Sequence, residues 1–152
     1  VSRKLELTAL QIAERFVGVE EVEGAMSNPQ ILAMLRLDAK WPAGDEVPWC
    51  SGFVNYVAWL LGLPRSKSLA ARSWLKVGTP VSLSEAEPGF DVVVLRRGLS
   101  SPGPEVLEAP GHVGFFAGTR PGLVLILGGN QGDEVNTSAF SRERVLGMRR
   151  LL

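Results

Sequence analysis

The chain has 152 residues, 45% of them hydrophobic, which suits one compact domain with a core of its own. Its 16 Lys and Arg balance 16 Asp and Glu, so no global charge favours nucleic acid or an anionic membrane as partner. One cysteine excludes an internal disulfide, and one cysteine with one histidine is too few ligands for a structural zinc site, so neither metal nor cofactor is expected.

The opening stretch, "VSRKLELTALQIAERF", is charged and amphipathic, with no continuous apolar run and no small-residue cleavage site. It does not read as a signal peptide, and nowhere do apolar residues run long enough to insert in a membrane. Leu5, Leu7, Leu10, Ile12, Ala13, Phe16 and Val17 approximate a helical period that Gly18 ends. After an acidic loop, Asn28 and Pro29 read as the cap and first position of a short helix carrying Ile31, Leu32, Met34 and Leu35. "DAKWPAGDEVPW" is a loop by its Pro and Gly. The next helix spans Cys50 to Leu61, with Cys50, Phe53, Val54, Val57 and Leu61 forming one buried stripe, so the thiol faces inward. A third patterned segment, "LAARSWLKV", closes at Gly78, and Trp59 and Trp74 read as core.

The second half changes character. Segments 91–96, 112–118, 123–128, 134–140 and 144–150 are short, β-branched or aromatic, and separated by Gly or Pro. They predict a meander of about five mostly antiparallel strands, and helices followed by strands make the class α+β.

Cys50 is the residue that raises a chemical question. A thiol at a helix N-terminus meets unpaired N–H groups and the positive end of the helix dipole, both of which favour the thiolate. The only histidine, His112, opens a strand, and neutral imidazole is the usual base for a nucleophilic thiol. If the hairpin 112–128 has a five-residue loop, Thr119 to Leu123, its register places Asn130 across from His112, where an amide accepts the ring N–H. A one-residue slip turns Asn130 to the other face, and Gln131 is then the alternative. Trp49 reads as a cleft wall or as core. Asp45 and Glu46 read as substrate-binding groups or as a solvated turn. Arg65 and Arg72 suit substrate carboxylates or solvated helix ends, and Asp91 reads as structural.

The segments "DEVPWCSGFVNYVAWLLGLPRSKSLAARSWLKVG", "PGFDVVVL", "GHVGFFAG" and "LILGGNQG" resemble the phage and bacterial cell-wall hydrolases of the CHAP and NlpC-type cysteine peptidase clan. They are most similar to a small subgroup with the pattern "PWCSAFVN…SALARSWL…GHVGFY…GGNQ". "GVEEVEGAMSNPQI" also fits that subgroup's N-terminal stretch. The resemblance implies a papain-like α+β fold, helices packed on the sheet, in a single catalytic domain, 1–152. It implies Cys50 as nucleophile, His112 as base and Asn130 as orienter; Asp45, Glu46, Trp49 and Gln131 stand beside them, from the residues alone, as candidates to bind substrate. Gly128 stands where many CHAP members carry a Glu, and no second His exists to take the third role.

The implied activity is hydrolysis of an amide bond in peptidoglycan, by a monomeric phage lysin or lysin-like domain. Such a chain, made in the cytoplasm, reaches the wall through a holin-type lesion or a secretion system. Alternatives from other classes are a non-catalytic wall-binding module and a secreted effector amidase or acyltransferase on the same scaffold.

Overall fold

A computed structural model describes residues 5–22, 28–38 and 48–152. Three helices come first: α1 (Ala9–Glu14), α2 (Pro29–Leu35) and α3 (Cys50–Leu60), followed by a 3-10 helix, Ala71–Lys76. The strands are β1 (Thr79–Val81), β2 (Asp91–Arg96), β3 (Gly111–Arg120), β4 (Leu123–Gly128), β5 (Asn136–Ser141) and β6 (Val145–Arg150). They form one six-stranded sheet in the order β1-β6-β2-β3-β4-β5, antiparallel throughout. The α+β class is therefore as expected, with one strand more, and the chain departs from a meander because β6 returns to pair with β2.

The extra strand, "TPV", is too short and too exposed to carry a period-2 signal, and its Pro80 sits where proline is tolerated, on a sheet edge. α1 starts later than its hydrophobic pattern. Thr8 caps it by accepting from the Gln11 N–H while the Gln11 side chain accepts from the Thr8 N–H, a reciprocal box that sets the first turn. Leu5 and Leu7 lie before that turn and are exposed.

Both faces of the sheet are covered, which is why β2 reads as an unbroken apolar run. Val92 and Val94 pack with Val113, Phe115, Leu127 and the helices. Val93 and Leu95 point the other way, into a smaller cluster with Phe116, Val124, Ile126 and Met148. α3 lies on the larger core with the expected stripe inward: Phe53, Val54 and Val57 have no exposed surface and Cys50 very little. Trp74 is buried as expected, but Trp59 lies off the stripe and is half exposed.

The β3–β4 hairpin differs from expectation twice, and the two differences cancel. Its turn is only Pro121 and Gly122, since Arg120 pairs with Leu123. A bulge between Phe116 and Gly118 then shifts the register, so Phe115 faces Leu127. At the His112 end the strands therefore run in the register that the longer loop predicted.

Candidate active site

Cys50 is the first residue of α3. The N-cap, Trp49, supplies no side-chain hydrogen bond, which leaves the first-turn N–H groups uncapped. What holds this helix end in place lies beneath it. Ser51 Oγ donates to the Ser68 carbonyl (2.6 Å) and accepts from Trp74 Nε1 (2.9 Å). Asn55 Nδ2 donates to the Ser51 and Ser68 carbonyls, and Asn55 Oδ1 accepts from the Lys67 N–H, fixing that residue at φ 55°. The hydroxyl and amide in "CSGFVN" thus anchor the helix to the 66–68 loop.

Trp49 has no exposed surface and is core, not cleft wall. Its ring lies against Gly129, where a Cβ would come within 2.6 Å of the indole. Its Nε1 donates to Glu21 Oε1 (2.7 Å). The same N-terminal segment pairs with the loop after β4: Gly18 N–H donates to the Val135 carbonyl, Val135 N–H to Val19, and Glu21 N–H to Asp133. Asp45 and Glu46 lie outside the described residues.

His112 is the second residue of β3, paired with Leu95. The side chain that meets its ring is Gln131, not Asn130: Gln131 Oε1 lies 2.9 Å from His112 Nε2. Asn130 has φ 58°, a left-handed turn that takes the chain out of the strand, so strand register no longer governs which side chain faces the imidazole. Gly128 makes room for the substitute. A Cβ there would stand 2.6 Å from Gln131 Oε1 and 3.4 Å from His112 Nε2, so Gln131 occupies the space that a side chain at position 128 would need.

The Gln131 amide is itself pinned. Its Nε2 faces three acceptors: the Ile126 carbonyl (3.1 Å), the Asn136 carbonyl (2.8 Å) and Asn136 Oδ1 (2.9 Å). Backbone carbonyls only accept, so the NH2 must face them and the oxygen must face the histidine. His112 Nε2 therefore carries the proton, and Nδ1 is the basic nitrogen of the neutral ring.

Burial dominates the titration of both groups. It pushes the Cys50 thiol up, against the lowering effect of backbone N–H groups from Val113, Ser51 and Cys50 itself and of the more distant Arg97 charge. α3, which Cys50 heads, packs on β3, the strand that carries His112. Burial also pushes His112 down; the Gln131 hydrogen bond opposes this, while the charges of Arg97 and Arg144 add to it. Helix-end effects do not prevail at the sulfur, and burial favours the uncharged form of both groups.

A cleft of about 390 Å³ opens over His112. Asn130, Gln131, Phe140, Arg97 and Arg144 are among its lining residues; Cys50, 4% exposed, is not. Phe140 touches the imidazole (centroids 5.4 Å apart) and also lies 5.4 Å from the Arg144 guanidinium carbon. The arginines singled out in the sequence are engaged elsewhere. Arg65 forms a two-pronged pair with Asp38. Arg72, fully buried, donates to the carbonyls of Pro102, Gly103, Val106 and Pro110 and so holds the long β2–β3 loop. Asp91 is structural, paired with Arg150 at 2.7 Å.

A thiol at the head of a buried helix, packed on an antiparallel sheet whose β3 carries the histidine, matches the papain-like α+β fold. Solved structures share it. NlpC1 from Trichomonas vaginalis matches with a TM-score of 0.57 at 18% identity, over 94% of this chain and 42% of that one. NlpC2 from the same organism matches with 0.58 at 20%, over 94% and 44%. An NlpC/P60 family protein from Bacillus cereus ATCC 10987 matches with 0.57 at 14%, over 95% and 39%. The chain thus spans about two fifths of the length of these proteins, and the likeness is one of fold. No family model matches the sequence, and no curated protein does.

Proposed function

We propose that this chain is a cysteine-dependent hydrolase that cuts an amide bond in the peptide part of peptidoglycan, acting as a monomer on the bacterial wall in the manner of a phage lysin. The observation that carries the reading is the pinned Gln131 amide, which leaves His112 Nδ1 as the basic nitrogen on β3, the strand on which the Cys50 helix packs. The NlpC and NlpC/P60 names of the fold neighbours and the "PWCS…GHVGF…GGNQ" pattern support the substrate class.

The chemistry starts from a neutral pair. As the sulfur attacks the carbonyl carbon, Nδ1 takes the thiol proton, and Gln131 Oε1 accepts from Nε2–H of the imidazolium that forms. The uncapped Cys50 N–H faces the developing oxyanion. His112 then returns the proton to the leaving nitrogen, the C–N bond breaks, and a thioester remains. Water attacks the thioester while His112 takes its proton; the carboxylic acid leaves and the thiol is restored. Gln131 acts through the imidazole as a positioning residue.

Wild type and Cys50→Ser incubated with purified peptidoglycan, with the soluble products read by mass spectrometry, test this. Fragments from wild type alone, with new amino and carboxyl termini that name the bond, are expected. Equal release by both proteins would remove Cys50 from the mechanism. No release from several wall types would remove peptidoglycan as substrate.

A further inference from the structure

Two cationic side chains flank His112, and among the described residues no acidic side chain lines the cleft with them. Arg97 follows β2 and is exposed. Arg144 precedes β6 and is partly buried. A reciprocal latch holds these two chain ends side by side: Arg96 Nη2 donates to the Glu143 carbonyl (3.0 Å), and Arg144 Nε donates to the Arg96 carbonyl (3.0 Å). The two guanidinium charges are near enough for Arg97 to disfavour the charge on Arg144. Among the described residues no ion pair engages Arg97 or Arg144, whereas Arg65 and Arg150 each have a carboxylate partner. The Glu134 carboxylate nearby is turned to Asn136 Nδ2. Phe140 stacks between chemistry and charge, touching both the imidazole and Arg144.

The geometry points to a carboxylate subsite: Arg97 and Arg144 together bind a free carboxylate of the substrate peptide, next to the bond over His112, and select acidic stems against amidated ones. This rests on the proposed amide hydrolysis. Planar guanidinium groups pair with carboxylates through parallel charge-assisted hydrogen bonds, and a carboxamide offers one acceptor and no charge. The same pair lowers the affinity of His112 for a proton, so an anion bound there restores basicity to the imidazole when substrate is present.

Synthetic stem peptides in which each carboxylate in turn is replaced by the carboxamide provide the first test. One such replacement is expected to lower kcat/KM of wild type about tenfold, and Arg97→Gln/Arg144→Gln is expected to cleave acid and amide forms alike. Equal cleavage of all forms by wild type overturns the subsite and leaves the hydrolase standing. Cleavage of none overturns the hydrolase, and a second measurement then decides the subsite.

That measurement is alkylation of Cys50 by iodoacetate and by iodoacetamide. In both, the sulfur displaces iodide from the same carbon, so the ratio of rates cancels the reactivity and burial of the thiol and reports the field felt by a carboxylate. The iodoacetate-to-iodoacetamide ratio is expected to fall several-fold in the double variant. Arg97→Gln alone, at an exposed position, keeps the test independent of folding and is expected to lower the ratio part of the way. A ratio that does not move, or a thiol that neither reagent labels, overturns the proposal.

Discussion

Among the described residues, the side chains around Cys50 are buried and the Ser51 and Asn55 polar groups are paired; around His112 the surface is half open and carries two cationic side chains. The helix end is held by apolar packing of Phe53, Val54 and Val57 and by the Ser51–Asn55 network below it. The imidazole is held on one side by the pinned Gln131 amide and faces two arginines on the other. The first region is built to stay put, the second to meet a ligand. The contrast predicts that substitutions in the two regions separate stability from catalysis.

Gln131→Ala has the largest expected effect on chemistry. It removes the acceptor that holds Nε2–H and leaves the Ile126 and Asn136 carbonyls without their donor. Loss of the group that orients a catalytic imidazole costs on the order of 10²–10⁴ in kcat, read from the initial rate of fragment release. Gly128→Ala comes next. The new Cβ displaces Gln131 from the ring, so kcat is expected to fall by about tenfold or more with KM little changed; unchanged kcat would show that Gln131 is not needed where it lies.

Asn55→Ala inverts the pattern. Stability is expected to drop by about 1–3 kcal/mol in denaturant unfolding, because the Ser68 carbonyl and Lys67 N–H lose a buried partner, while kcat/KM of the folded protein stays near wild type. A loss of activity without a loss of stability would break the contrast between the two regions.

The smallest effect is on pH dependence. His112 is held below the ordinary histidine value, so the acidic limb of kcat/KM lies below that of a free imidazole. Removing a neighbouring positive charge raises the affinity of the ring for a proton, so Arg144→Gln moves this limb to higher pH. Stability carries the same sign. Below the ordinary histidine value the unfolded chain binds a proton that the folded chain does not, so stability falls as pH falls through that range. The thiol does the reverse: raised in the fold, it makes stability fall as pH rises above the ordinary cysteine value.

What the sequence reveals follows the same division. Strands 91–96 and 123–128 are legible to the residue because β-branched runs bounded by Gly, Pro and Arg have one reading. The α3 stripe and the positions of Cys50 and His112 are legible because burial leaves a period. Gln131 is not, because a single left-handed residue, Asn130, cancels the alternation that register arguments use. Two adjacent glycines, Gly128 and Gly129, were the available signal: one is emptied for Gln131 and the other for Trp49. Arg97 and Arg144 lie at strand ends with no pattern of their own. Only the pairing of β2 with β6 brings them together, and that pairing is a long-range property of the sheet.

The N-terminal pairing of residues 18–21 has a temporal meaning. Through Glu21 it grips the indole next to Cys50, and through Val19 and Glu21 it grips the loop that carries Gln131. The contacts with that loop join positions more than a hundred residues apart, the kind that close late because the intervening chain must be ordered first. Thiol and imidazole are both present as soon as residue 112 has been synthesised. Placement of Gln131 on the imidazole waits for the 130s to dock on the beginning of the chain, so the proposed chemistry would be among the last properties this fold acquires.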